Sequence, residues 1–571
     1  MMPRKGFFLY YERALTWLNS SHVLPFHDAV LLIIMTCAGF ASSGALVVFA
    51  YHFIVVSPKD VVFLTRLLAK VLVFGGISFT AGYVLKSTSA RPRPLDVVEP
   101  RTMNGRRSLL VQFFVIVCLA AVFVLPNLDK YPFPEPDEMH HLIVSRNLCE
   151  YGEYASGHPE TGFIRFDSYD SVGPTLLIPI AALFRVAGVH LKTARLVVGL
   201  FFISLCLVSG AFARRYWNTR YFVVPVICLI GAIHSVYLGR TVYGEVPALL
   251  FFLLSLHFWD KSQSNTAPSK VFAVLAGVFL GMTLLAKLFF LIIVWPLFGA
   301  MYYEYCKAKK ISYSSSIIVM VTSLFIVFIW WLAQEILGDT QNSADMMGMY
   351  QTFLVFGFDS TKAALRWFFT RPLLTISWCI TILLFIPLVM NQADGFPSRV
   401  MLLYVVFFLF WWIFFTPGHI SRYLWYSSAT LGLMGGQVVE QLAKRWLQEN
   451  RRPLRRLGYI ALTGLVCMPY GGQLLDQGRL VYVADETSDL RELTHFIEQL
   501  PENARVATTF WPLERSLNFL TGRAISRLKA GVDCTKSFDV VVSFSQNSPD
   551  FVSEAIPVAK FGKFCVWDTS K

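Results

Sequence analysis

Ser108-Leu109-Leu110-Val111-Gln112-Phe113-Phe114-Val115-Ile116-Val117-Cys118-Leu119-Ala120-Ala121-Val122-Phe123-Val124-Leu125-Pro126-Asn127 is followed, three residues later, by Tyr131-Pro132-Phe133-Pro134-Glu135-Pro136-Asp137-Glu138-Met139-His140-His141. The first stretch can cross a bilayer as a helix, since about 20 residues at about 1.5 Å each match the hydrocarbon thickness. Arg106 and Arg107 stand at its start and mark that end as cytoplasmic. The proline-rich acidic segment therefore emerges on the outer side, at the membrane edge.

The same reading repeats along the chain. Apolar runs at 29–56, 61–86, 108–127, 193–213, 219–238, 243–259, 269–286, 287–304, 313–337, 373–390, 399–415, 422–440 and 457–473 predict about 13 transmembrane helices. Composition agrees. Of 571 residues, 55% are hydrophobic and 15% charged, with mean hydropathy +0.53. Soluble chains carry about 25% charged residues, which argues against a soluble enzyme, a disordered chain or a fibrous repeat. The net charge of +13 does not imply nucleic acid, because the basic residues gather in short loops. Lys86–Arg107, Arg214–Arg220, Lys307–Lys310 and Lys444–Arg456 hold them, all on one side if the spans are right. No CxxC pair or zinc-ligand spacing occurs, and neither a cleavable signal peptide nor an internal repeat is visible.

Three segments then face outward: 128–192, 338–372 and the tail. In the first, Asp137–Cys149 reads as a helix, and Thr175–Ala187 as a short apolar segment along the interface. In the tail, Asp485–Leu500 reads as an amphipathic helix. Val506–Phe510, Val540–Phe544 and Phe564–Trp567 read as strands, and Pro549–Lys560 as a helix. The expected fold class is an all-α polytopic membrane protein with a small C-terminal extracytoplasmic α/β domain at 476–571. The tail carries Asp485, Glu486 and Asp489 but no membrane-edge acidic cluster, so it is expected to be accessory. Its Cys534 and Cys565 could pair in an oxidising compartment.

Asp137 falls at or next to a helix N-cap, where free N–H groups and the dipole keep a carboxylate ionised. Such a group at the membrane edge suits proton removal from an acceptor hydroxyl. His140 and His141, about one turn on, are placed to orient it or to donate to a phosphate. Two other readings stay open. Asp137 and Glu138 could simply cap and decorate the helix, or Asp137, Glu138, His140 and His141 could ligate a metal, although adjacent residues do not all converge on one ion.

A first outer loop opening with Asp-Glu-x-His just past a span resembles the GT-C superfamily of integral-membrane glycosyltransferases. The nearest branches are the protein O-mannosyltransferases and the lipid A aminoarabinose transferases. Ala194-Arg195-Leu196-Val197-Val198-Gly199-Leu200-Phe201, Ala276-Gly277-Val278-Phe279-Leu280-Gly281-Met282-Thr283-Leu284-Leu285-Ala286-Lys287 and Arg422-Tyr423 at a helix start are also similar. The likeness covers roughly 108–475 and implies a GT-C-like transmembrane catalytic domain there. Residues 1–107, with two additional spans, have no counterpart. Ser171-Val172-Gly173-Pro174 stands where relatives often carry Lys-Pro-Pro, and no Trp-Trp-Asp occurs.

The resemblance implies transfer of a sugar from a polyprenyl-phosphate donor to a glycan, lipid or protein acceptor on the extracytoplasmic face, inverting, with Asp137 as general base and Glu138 beside it. The departing phosphate needs a cation. Arg240, Lys287, His419 and Arg422 are the outer-side candidates, Arg422 first because Arg binds phosphate bidentately. His140, His141, Glu245 and Tyr423 complete the expected substrate site. No cofactor is required, and a divalent metal is possible but not favoured. The partners are the donor, the acceptor and membrane lipids, with no nucleic acid. A bacterial inner membrane is the expected location, because Asn-x-Ser/Thr is absent from the outer segments. A transporter or flippase, and a membrane scaffold, are the competing functions.

Overall fold

The computed structural model describes residues 103–166, 172–263, 269–303, 312–338, 358–390, 396–415, 421–448, 453–509, 511–528, 538–544 and 557–568. The expected spans at 29–56 and 61–86 lie outside these residues, as do His419 and Cys534.

Helix α1 (Met103–Val124) is the span read at 108–127, and Asn127 just beyond it adopts left-handed backbone, φ 51°. Helix α2 (Pro136–Glu150) follows the prolines. Pro136 sits at its first position, where a missing N–H costs nothing. Glu135, not Asp137, is the N-cap residue, and its side chain caps no N–H. A hairpin, β1 (Ala155–His158) and β2 (Gly162–Arg165), leads to α3 (Pro174–Ala187) and α4 (Leu191–Trp217). The sequence reads α3 as interfacial. Instead Leu176, Leu177, Ile180, Ala181 and Phe184 are buried in one cluster with Met139 and Leu142 of α2 and Ala194 and Val198 of α4.

The run read as one span at 219–238 is two short helices, α5 (Val223–Ile230) and α6 (Ser235–Leu238). His234 between them is left-handed, φ 61°. The Ser235 hydroxyl donates to the Leu229 carbonyl at 2.6 Å, which also accepts the Ala232 N–H at 3.1 Å, so the break is tied together by short-range bonds. Then come α7 (Glu245–Ser262), α8 (Ser269–Ala286), a 3-10 turn (Leu288–Ile293) and α9 (Val294–Tyr303). Next are α10 (Tyr313–Leu337), α11 (Phe358–Phe369), α12 (Pro372–Met390) and α13 (Phe396–Phe415). A second 3-10 turn (Ser421–Leu424) precedes α14 (Trp425–Gln448) and α15 (Pro453–Val483).

Two helices are apolar all round yet sit differently. In α7, every residue from Glu245 to Trp259 is buried, packed on α4 and α8. In α10, Ile317, Val321, Leu324, Phe325, Phe328, Trp331 and Ile336 point outward. Water would not tolerate such a face, but lipid does. The protein is a multi-pass membrane protein. Among the described residues, four helices are long and apolar enough to cross a bilayer, and α11 with α12, bent by 98°, would add a fifth. Among the described residues, three of the apolar runs depart from a single long span. The run at 219–238 is broken, 287–304 is split into a 3-10 turn and a ten-residue helix, and α7 carries Glu245, Asp260 and Lys261.

The tail holds α16 (Ser488–Glu498), β3 (Val506–Thr508), α17 (Trp511–Thr521), β4 (Ile525–Arg527), β5 (Val540–Phe544), β6 (Ala559–Phe561) and β7 (Phe564–Asp568). They form one sheet in the order β4-β3-β5-β7-β6, with β3 parallel to β4 and β5 and the rest antiparallel. Side chains alternate across it: Val540, Val542, Phe564 and Val566 face α16 and α17, and Val541, Cys565 and Trp567 face away. The helix expected over 549–560 is wrong at its described end, since Ala559 and Lys560 pair with Val566 and Cys565.

Candidate active site

Arg422, from the 3-10 turn ahead of α14, reaches two carboxylates at the start of α2. Its Nη2 donates to Asp137 Oδ2 at 2.5 Å and its Nη1 to Glu135 Oε2 at 3.3 Å. The guanidinium lies 4.6 Å from the centre of the Tyr243 ring and 5.4 Å from that of Tyr423, which is itself buried. Glu135 also accepts from the Tyr243 hydroxyl at 2.6 Å and from the Tyr237 hydroxyl. The side chains of Asp137 and Glu135 are 42% and 44% exposed, that of Arg422 only 13%. The acids therefore open outward while the cation is backed by aromatic rings. Burial alone would raise the Asp137 pKa, but the charge and hydrogen bond of Arg422 prevail and bring it down to about 2. Arg422 thus adds to the first-turn position of Asp137 in holding the carboxylate ionised.

The next residue, Glu138, is fully buried. It accepts from Arg195 Nε at 2.9 Å and Nη2 at 2.7 Å, and from the Val242 N–H at 3.1 Å. The remaining Arg195 nitrogen, Nη1, donates to the Leu128 carbonyl at 2.8 Å. Sequence reading quoted Arg195 but gave it no role. The available signal was an arginine in an otherwise apolar helix near the outer edge, which needs a partner; 57 residues of separation hid which acid it meets.

His141 is buried, and its Nδ1 donates to the Val242 carbonyl at 2.9 Å. Burial, with the charges of Lys287 and His140, pushes its pKa well down. A neutral ring whose Nδ1 carries the proton presents Nε2 as an acceptor. The expected donation from His141 to a phosphate is thus corrected: the ring is set up to accept. His140 is buried beside it, ring centres 6.2 Å apart.

Glu245 and Lys287 are brought together, Nζ to Oε1 3.5 Å, both side chains fully buried. Gly244 permits this, since a Cβ there would lie 1.9 Å from the Ala286 carbonyl oxygen. At Gly173 a Cβ would lie 2.0 Å from the Leu285 carbonyl oxygen. The end of α8 beside Lys287 is therefore pressed against both glycines. Arg240 is a correction. Its guanidinium donates to the carbonyls of Phe123, Pro126, Asn127 and Tyr131, at 2.6–3.2 Å, so it braces the chain ahead of the acids instead of facing a phosphate. Among the described residues no group of three or more His, Cys, Asp or Glu is arranged to hold a metal ion. Asp137 and Glu138 each bond to an arginine, and His141 to a carbonyl.

The arrangement offers a half-exposed carboxylate, a cation bonded to it, and a buried shell of paired charges behind them. No protein-family profile and no curated protein matches this sequence, but solved structures do. ArnT from Cupriavidus metallidurans, bound to undecaprenyl phosphate, matches with TM-score 0.56 and 14% identity over 81% of this chain and 98% of its own. Its apo state gives 0.55 and 13% over the same shares. The archaeal oligosaccharyltransferase AglB from Archaeoglobus fulgidus, in complex with an inhibitory peptide and a dolichol-phosphate, gives 0.50 and 12% over 76% of this chain and 69% of its own. ArnT and AglB belong to the GT-C superfamily, and this chain has the GT-C fold.

Proposed function

We propose that this chain, carrying the GT-C fold, is a polyprenyl-phosphate-sugar-dependent glycosyltransferase with Asp137 as its general base. The observation that carries the reading is the half-exposed Asp137–Arg422 pair at the outer end of the first described span. The acceptor hydroxyl gives its proton to Asp137. Its oxygen forms a bond to the anomeric carbon while the bond from that carbon to the lipid phosphate oxygen breaks, and polyprenyl phosphate leaves. One displacement inverts the anomeric centre. Arg422, with Tyr423 beside it, receives the charge that gathers on the phosphate. As the guanidinium turns from Asp137 toward that phosphate, the carboxylate loses its nearest cation and becomes a stronger base. Lys287 supplies a second positive charge, balanced by Glu245. His140 and His141 line the site, and Glu138 holds α2 in place.

The acceptor is a hydroxyl of a glycan, lipid or protein, and the site works on the extracytoplasmic face of a bacterial inner membrane. Arginine and lysine meet a monophosphate leaving group without a metal. Incubating the purified protein with radiolabelled sugars on undecaprenyl phosphate tests the reading. Covalent transfer, abolished by Asp137→Asn, is expected. Movement of the labelled lipid across vesicles with no bond broken would favour a flippase instead.

A further inference from the structure

The tail grips the segment that carries the acids. Between the end of α1 and the start of α2, the chain is stitched to residues 481–487. The Tyr482 hydroxyl donates to the Val122 carbonyl at 2.9 Å, and Asn127 Nδ2 to the Val481 carbonyl at 3.1 Å. The Thr487 hydroxyl, on a buried side chain, donates to the Asp129 carbonyl at 2.7 Å. The Glu486 N–H donates to the Lys130 carbonyl at 3.0 Å, and Glu486 Oε2 accepts the Phe133 N–H at 2.8 Å. The tip of the β6–β7 hairpin adds Lys563, whose Nζ lies 3.9 Å from the centre of the Phe133 ring. Phe133 in turn packs against the core between the sheet and α16. The other end of α2 is held as well. Arg146 Nη1 donates to the Asn518 carbonyl of α17 at 2.8 Å, and Phe519 lies in the cluster that buries α2.

Phe133 is two residues from Glu135 and four from Asp137. Glu135 is held by Tyr237 and Tyr243 as well as by Arg422, whereas Asp137, half-exposed, is held by Arg422. Its place relative to Arg422 is inherited from the backbone that leads into the helix. We propose that the C-terminal sheet unit is a positioning element of the active site. Through Glu486, Thr487 and Lys563 it sets where Asp137 and Glu135 stand against Arg422. This rests on reading Asp137 as the base, and it reverses the expectation that the tail is accessory.

The test uses the full-length protein in lipid nanodiscs, with undecaprenyl phosphate as binding probe and radiolabelled undecaprenyl-phosphate sugars as substrate. Glu486→Ala with Thr487→Val should lower the single-turnover rate about tenfold to a hundredfold, the scale of a misplacement near 1 Å. Undecaprenyl phosphate binding should stay within about twofold, since a loss confined to the transition state leaves ground-state binding intact. Glu486→Gln, which still accepts the Phe133 N–H, should keep the unsubstituted rate. Lys563→Met offers a second probe if the double variant folds poorly. An unchanged rate in the double variant and in Lys563→Met overturns the proposal. So does a rate that falls only in step with binding and melting temperature. Absence of transfer by the unsubstituted protein would instead overturn the glycosyltransferase reading.

Discussion

Arg422 serves two acids at once, and its shape matters as much as its charge. One nitrogen binds Asp137, another binds Glu135, and the plane lies against Tyr243. A lysine cannot reproduce that fork. Arg422→Lys should therefore weaken undecaprenyl phosphate binding nearly as much as Arg422→Ala, and full rescue by lysine would refute the bidentate picture. The same pair makes a pH prediction. With the Asp137 pKa near 2 in the free protein, the base stays ionised until pH falls that far. Because kcat/KM reports the free enzyme, it should show no acid limb from Asp137 at about pH 5–7. The limb in kcat should lie at higher pH than in kcat/KM, because the bound phosphate draws Arg422 away. A kcat/KM limb near pH 6 that disappears in Asp137→Asn would contradict this. Glu138 calls for a different test. Glu138 is the partner of the buried Arg195. Removing one partner of a buried pair costs about 3–5 kcal/mol, so Glu138→Gln should lower the unfolding midpoint more than Asp137→Asn, after which Arg422 keeps Glu135 as a partner.

At the scale of elements, apolar periodicity found the helices whose only demand is to be apolar. The positions of α1, α4, α8, α10 and α13 were legible for that reason. The break at His234 was not, because the one proline of the run Phe222–Ile233, Pro225, lies within α5 and not at the break. The acids of α2 were legible too, since a carboxylate cluster at a membrane edge is costly unless used. Their partners were not: Arg195 and Arg422 lie far away in sequence, and only packing shows which acid each one meets. Gly244 offers a test at this scale. Gly244→Ala puts a methyl group against the Ala286 carbonyl, so the junction of α7 and α8 must move and the Glu245–Lys287 pair must open. Lys287→Ala should weaken undecaprenyl phosphate binding, and Gly244→Ala should do so by a similar factor with both ionisable residues intact. Normal binding by Gly244→Ala would show that the pair does not serve the donor.

Over the whole molecule, the charge asymmetry of the loops and the contacts of the tail say the same thing by independent routes. Lys130 and Glu486 meet by a backbone hydrogen bond, so the acidic segment and the tail share one side of the membrane. Cysteines introduced at Glu135 and Asp485 should both be labelled by an impermeant reagent from the extracytoplasmic face; labelling from opposite faces would break the topology and the chemistry together. What sequence could not convey here is coupling. The strands at 540–544 and near 564 were legible, but composition holds no trace of which loop the tail touches. The central claim is that Asp137 takes the proton from the acceptor. It is tested most directly by the rate of sugar transfer from an undecaprenyl-phosphate donor, compared between the unsubstituted protein and Asp137→Asn at equal folded concentration. The account predicts a fall of about a hundredfold or more, since asparagine matches aspartate in size and can still meet Arg422 but cannot take the proton. Transfer at the unsubstituted rate by Asp137→Asn would contradict it.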